Sequence, residues 1–157
     1  MTLAGADETR LFGARLGAAL RDHAGSEALM VHLSGDLGAG KTTLVAGVLA
    51  ALGHEGAVRS PTYALVEPYR LAGRDVTHCD LYRLRHPDEL EDLGLADMRT
   101  PRSVLLVEWP ERAAGRLGTA DLGLSLEYAG DTARLVTVAP ATAAGASIAS
   151  GLGLDAA

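Results

Sequence analysis

The chain contains no asparagine and no glutamine, and it has a single lysine, a single cysteine, a single tryptophan and a single phenylalanine among its 157 residues. Without Asn, the N-K-x-D motif that reads guanine in GTPases cannot be built, so adenine is the better base for any nucleotide bound here. Without Gln, the side chain that orients attacking water in Ras-like enzymes is missing, and any hydrolysis is expected to be slow unless a partner assists. The lone Cys79 closes no internal disulfide, in keeping with a reducing compartment. The five histidines show no metal-ligand spacing, which argues against a zinc site. No run approaches the length of a membrane span and no signal-peptide layout opens the chain, so the cytoplasm is the expected location. A formal net charge of −6 argues against a protein that grips nucleic acid unaided. Any contact with RNA is expected to be indirect, through partner proteins.

What is present suffices for one core. Hydrophobic residues make up 48% of the chain, which predicts a single domain over residues 1–139. Residues 140–157 are almost wholly Ala, Gly, Ser and Thr and offer little to bury, so they are expected to form a disordered tail. An amphipathic helix is predicted from Asp7, as its cap, to His23, with Leu11, Phe12, Leu16, Ala19 and Leu20 on one face. Residues 28–33 read as a buried strand, and a second helix from Lys41 carries Leu44, Val45, Val48, Leu49 and Leu52 to a stop at Gly53. Thr62–Leu71 and Arg74–Leu81 read as an inserted β-hairpin, which makes the sheet mixed. Pro87–Leu93 reads as a short helix, Ser103–Val107 as a central strand, and Leu122–Tyr128 with Ala133–Val138 as a closing hairpin. The pattern is α/β.

Between the first strand and the second helix stands Gly35-Asp36-Leu37-Gly38-Ala39-Gly40-Lys41-Thr42, a match to G-x-x-x-x-G-K-[ST]. The chemistry needs this spacing. Glycines admit backbone conformations that turn successive N–H groups toward phosphate oxygens, and the helix start adds the positive end of its dipole. Lys41, the only lysine, supplies a full charge to the β and γ phosphates, while the Thr42 hydroxyl is positioned to ligate Mg²⁺. Thr43 lies within reach of the α phosphate.

A magnesium-side carboxylate is expected at the end of an apolar strand, and two candidates exist. Glu108 ends the run Val104–Val107 and Asp80 ends the run Val76–Cys79, both cofactor-side and catalytic candidates. Periodicity favours Glu108 as the end of a central strand. The loop Ser60-Pro61-Thr62-Tyr63 could bring a hydroxyl toward the γ phosphate, with Thr62 as the candidate. Trp109, next to Glu108 and before Pro110, is expected to sense the same site.

Four segments together, GDLGAGKTTL at 35–44, SPTYALVEPY at 60–69, HCDLYRL at 78–84 and LLVEWPER at 105–112, resemble the TsaE (YjeE) family over about residues 6–139. The resemblance implies a P-loop NTPase-like three-layer fold with a mixed central sheet, and an ATPase that needs ATP and Mg²⁺. It also implies action with the TsaD and TsaB proteins in forming threonylcarbamoyladenosine beside the tRNA anticodon, where TsaD would carry the transfer. By the same resemblance Lys41, Thr42 and Thr43 match the family's phosphate and magnesium residues, and Asp80 and Glu108 its acidic pair. Thr9 is matched to a threonine near the base, and Arg134 is the candidate from the C-terminal hairpin. Two other functions fit a P-loop alone. A small-molecule kinase would need an acceptor pocket and an Arg-bearing lid, and a nucleotide-gated adaptor would bind ATP with negligible turnover.

Overall fold

A computed structural model describes residues 1–61 and 63–154. Its elements run β1 (Thr2–Leu3), α1 (Ala6–Asp22), β2 (Leu29–Ser34), α2 (Lys41–Ala51), β3 (Val66–Tyr69), β4 (Val76–Asp80), β5 (Val104–Glu108), β6 (Leu122–Tyr128), β7 (Arg134–Pro140) and α3 (Ala143–Gly151). Two 3₁₀ helices, Pro87–Leu93 and Pro110–Ala113, flank β5 in the chain. The strands form one sheet in the order β1-β7-β6-β2-β5-β4-β3. The four strands β6, β2, β5 and β4 run parallel, while β7 pairs antiparallel with β6 and β1, and β3 antiparallel with β4. The α/β class and the mixed sheet match the expectation from the sequence.

Alternation in the strands sends their residues to two cores. Leu29, Val31, Leu33, Val104 and Leu106 meet α1, α2 and α3 on one face. Met30, Cys79, Leu105 and Val107 point to the other face, where the 3₁₀ helices contribute Leu90 and Ala113 and the intervening loop Leu95. The third layer is therefore thin. β5 is buried at all five positions and β2 at four of six, as befits inner parallel strands with both faces covered.

Several expectations need correction. α1 begins at Ala6 behind Gly5 with no side-chain cap, and Asp7 sits inside the first turn, where its charge suits the helix dipole. Its buried face is Thr9, Phe12, Gly13, Leu16, Gly17 and Leu20, while Leu11 is exposed. The glycines sit on that face because α2 approaches so closely there. β3 is shorter than expected, and Thr62 at the predicted strand start lies outside the described residues. The short helix expected at Pro87–Leu93 is present with those bounds, as a 3₁₀ helix with proline in its first turn.

The largest correction concerns the segment 140–157, expected to be disordered, of which residues 140–154 are described. Thr142 caps α3 by accepting the Gly145 N–H at 3.1 Å, and the same hydroxyl donates to Asp121 Oδ1 at 2.7 Å. Asp121 Oδ2 in turn accepts the Met30 N–H at 2.8 Å. Ile148, Ala149 and Leu152 then fall on one helical side and join the core beneath α1. Three apolar residues at helical spacing suffice once a neighbouring helix offers the complementary surface.

Candidate functional site

The site forms where β2, β4 and β5 end together. β2 leads through the glycine loop into α2, and three loop glycines hold positive φ: Gly35 at 142°, Gly38 at 78° and Gly40 at 102°. At Gly35 a side chain would also collide with the Leu126 carbonyl of β6. The loop is braced from outside. The Tyr128 hydroxyl donates to Leu37 O at 2.8 Å, and the Arg134 guanidinium donates to Ala39 O at 3.1 Å and Gly38 O at 3.2 Å. Peptide carbonyls drawn outward leave their N–H partners facing the other way.

Lys41, the first residue of α2, is buried and donates from Nζ to Gly35 O at 2.5 Å and Asp36 O at 2.9 Å. Its ammonium lies 4.3 Å from the centroid of the Trp109 ring. Burial pulls the Lys41 pKa down, while the carboxylates of Glu108, Asp80, Glu111 and Asp36 hold it up. The next residue, Thr42, donates its hydroxyl to Glu108 Oε1 at 2.9 Å and lies 2.6 Å from the Ser60 hydroxyl.

Parallel pairing sets the carboxylates side by side. Asp80 of β4 is the register partner of Glu108 of β5, so both side chains leave the sheet on the α2 face at one level. Burial pushes the Asp80 carboxyl up, with a smaller push from Glu108, while the Tyr82 N–H that it accepts at 3.0 Å pulls the other way. Behind them the fully buried His78 contacts Glu108 Oε1 at 2.8 Å.

Lys41, Thr42, Asp80 and Glu108 line one cavity of about 380 Å³, with Gly38, Gly40, Thr43, Ser60, Arg83 and Trp109 among its walls. Trp109 stands in the left-handed region at φ 58°, ψ 48°, a conformation costing a non-glycine residue on the order of 1–3 kcal/mol. Contacts hold it there: Tyr82 at 4.9 Å between ring centroids and Arg112 at 5.9 Å from its ring. The donor set suits magnesium, because carboxylates and hydroxyls are hard oxygen ligands and two neighbouring buried carboxylates call for a cation. Among the described residues no group of three or more His, Cys, Asp or Glu could hold a metal by itself. Magnesium commonly completes its shell with phosphate oxygens and water.

The family model described as threonylcarbamoyl adenosine biosynthesis protein TsaE matches residues 3–136. The chain belongs to the TsaE family. A TsaE protein from Haemophilus influenzae is 48% identical over 113 residues, which span 72% of each chain. One from Streptomyces coelicolor is 47% identical over 116 residues, covering 69% of this chain and 78% of the relative. The crystal structure of Bacillus subtilis YdiB superposes with a TM-score of 0.74 at 26% identity, covering 98% of this chain and 92% of that one.

Within this TsaE-family fold the structure gathers Leu37, Gly38, Gly40, Lys41, Thr42, Thr43, Asp80, Glu108 and Trp109 around the main cavity. Thr9 and Arg134 stand apart, with Ala39 and Thr43, on a smaller cavity of about 100 Å³ behind the loop. The Thr9 hydroxyl donates to the carbonyl of Gly5, the residue before α1, at 2.9 Å. Thr62 lies outside the described residues, and it is Ser60 of the same loop that meets Thr42. Sequence reasoning passed over His78 and Tyr128. His78 had one usable signal, its two-residue spacing from Asp80 on a strand, which puts both on one face. Tyr128 had none, since 91 positions separate it from Leu37.

Proposed function

We propose that this TsaE-family chain binds ATP with Mg²⁺ in the main cavity and hydrolyses it, slowly alone and faster with partners. The observation that carries this reading is the 2.9 Å hydrogen bond from Thr42 to Glu108 across 66 positions of sequence, with Asp80 beside it and Lys41 on the adjoining loop. A phosphate loop, a hydroxyl and two carboxylates converge from three separate segments. In this reading the loop N–H groups and Lys41 hold the phosphates, Thr43 lies toward the α phosphate, and Thr42, Asp80 and Glu108 hold the magnesium. Magnesium when bound neutralises charge on the phosphate oxygens. Thr9 and Arg134 belong to the rear of the nucleotide site, and Trp109 senses its occupancy.

By family membership the cellular role is formation of threonylcarbamoyladenosine beside the tRNA anticodon, in the cytoplasm, together with TsaD and TsaB. The energy of hydrolysis resets or regulates the transferase, and tRNA is reached through the complex. Calorimetry with a non-hydrolysable ATP analogue tests the binding, and phosphate release with and without purified TsaD and TsaB tests the activity. Lys41→Ala removes a charge-assisted contact worth roughly 1.5–3 kcal/mol, so affinity or rate should fall about tenfold to hundredfold while the fold persists. Unchanged binding together with unchanged hydrolysis would overturn the reading.

A further inference from the structure

His78 is used by nothing described so far, yet it sits on β4 two residues before Asp80, on the same face and fully buried. Its Nε2 lies 2.8 Å from Glu108 Oε1. A carboxylate oxygen accepts and cannot donate, so Nε2 carries the proton and makes the bond. The other ring nitrogen, Nδ1, has no hydrogen-bond partner among the described residues. An unsatisfied buried nitrogen is a cost that leucine or phenylalanine at this position would avoid, with Val76 and Leu106 already supplying apolar packing on that face. Packing alone does not account for a histidine here.

The geometry around Glu108 does. Its Oε1 takes two donors, Nε2–H from β4 at 2.8 Å and the Thr42 hydroxyl from the first turn of α2 at 2.9 Å. Two donors from two different elements on one oxygen fix the plane and direction of the carboxylate. Oε2 receives no hydrogen bond from the described residues and is the oxygen left for the cavity that Glu108 lines. Removing the imidazole donor leaves Glu108 held by Thr42 alone, free to turn about its last torsion. Thr42 is itself tied to Ser60, so the histidine is the rigid member of the chain.

We propose that His78 is a positioning residue, whose Nε2–H aims the Glu108 carboxylate at the Thr42 hydroxyl and at the magnesium of a bound nucleotide. The proposal rests on reading this cavity as the ATP and magnesium site. His78 acts through Glu108 and touches neither nucleotide nor metal.

Two variants and one spectrum test it. His78→Phe keeps the ring volume and removes the donor, whereas His78→Gln keeps a donor nitrogen at similar reach. Affinity for a non-hydrolysable ATP analogue is measured by calorimetry in EDTA and again with Mg²⁺. His78→Phe should match the parent in EDTA and lose about tenfold of the gain that magnesium gives, and His78→Gln should recover most of it. Full magnesium enhancement in His78→Phe, or an equal loss in His78→Gln, would make His78 a packing residue and overturn the proposal. Should His78→Phe not fold, the parent protein decides through its imidazole ¹H–¹⁵N spectrum. A slowly exchanging Nε2 proton that shifts on adding Mg²⁺ with the analogue supports the assignment, and a resonance indifferent to them overturns it. A parent that shows no magnesium-dependent binding at all removes the nucleotide reading, and the role of His78 with it.

Discussion

Polar side chains away from the main cavity show how single residues tune this chain. Arg74 donates to the carbonyls of Leu20 at 2.6 Å, His23 at 2.8 Å and Gly25 at 3.1 Å, supplying donors where the end of α1 leaves acceptors unmatched. Cys79 is buried, and its thiol is pushed up to about 12, chiefly by that burial and further by Asp80 and Glu108. His32 of β2 is pushed down by burial, and its Nε2 has no hydrogen-bond partner among the described residues. The sign of its effect on stability follows directly. In the unfolded chain the imidazole takes up a proton below its ordinary pKa near 6.5, whereas in the folded chain it resists until the pH is lower. Folding is unaffected above that value and loses stability as the pH falls through it. His32→Leu should therefore melt like the parent in its pH response above about 7 and lose less stability between pH 7 and 5. Parallel pH profiles of melting temperature across that range would show that His32 titrates alike in both states.

At the scale of elements, the packing of α1 on α2 depends on glycine. A Cβ on Gly47 would collide with the Arg10 carbonyl, and one on Gly13 with the Leu44 carbonyl and, at 3.2 Å, the Gly47 Cα. Backbone meets backbone across this contact, so a clash cannot be relieved by a side chain turning aside. Helix propensity favours Gly47→Ala by about 1 kcal/mol, but overpacking of this kind typically costs 1–3 kcal/mol, and a larger residue costs more. Gly47→Val should lower the melting temperature by several degrees, since about 1 kcal/mol shifts a chain of this size roughly 2–4 °C. A melting temperature at or above that of the parent would show that the helices part without cost. α3 makes a second element-scale prediction. Ending the chain after Ala141 strips Ile148, Ala149 and Leu152 from the core and the Arg15 guanidinium of its contact with the Leu152 carbonyl. Unfolding by urea should then occur at a lower midpoint, and an unchanged midpoint would return residues 142–157 to the status of a tail.

For the whole molecule the governing quantity is charge. A net −6 leaves little to neutralise RNA phosphates, even though Arg83 lies over the Tyr63 ring and Arg112 over those of Tyr82 and Trp109. The isolated chain should bind tRNA weakly at physiological salt, and tRNA should join it when TsaD and TsaB are present. Submicromolar binding by the chain alone, in a filter or fluorescence assay at that salt, would contradict this. No helix among the described residues is long and apolar enough to cross a membrane.

What could be read from the sequence was local. The glycine loop, its lysine and its threonine lie within the eight consecutive residues 35–42, between a strand and a helix whose apolar spacing is plain, so their arrangement follows from backbone conformation alone. The apolar run before Glu108 likewise marked a strand end. Tertiary structure decided the rest, because which strand ends meet depends on pairing order and register rather than on any short window. Placing β5 between β2 and β4 brought Asp80 level with Glu108, and brought His78 onto the same carboxylate. The choice of Ser60, the outward brace of Tyr128 and Arg134 on the loop, and the burial of α1's glycines arose in the same way. So did the order of α3, whose few apolar residues acquire a use once α1 lies across them, since burial is a property of two surfaces and a sequence window displays one.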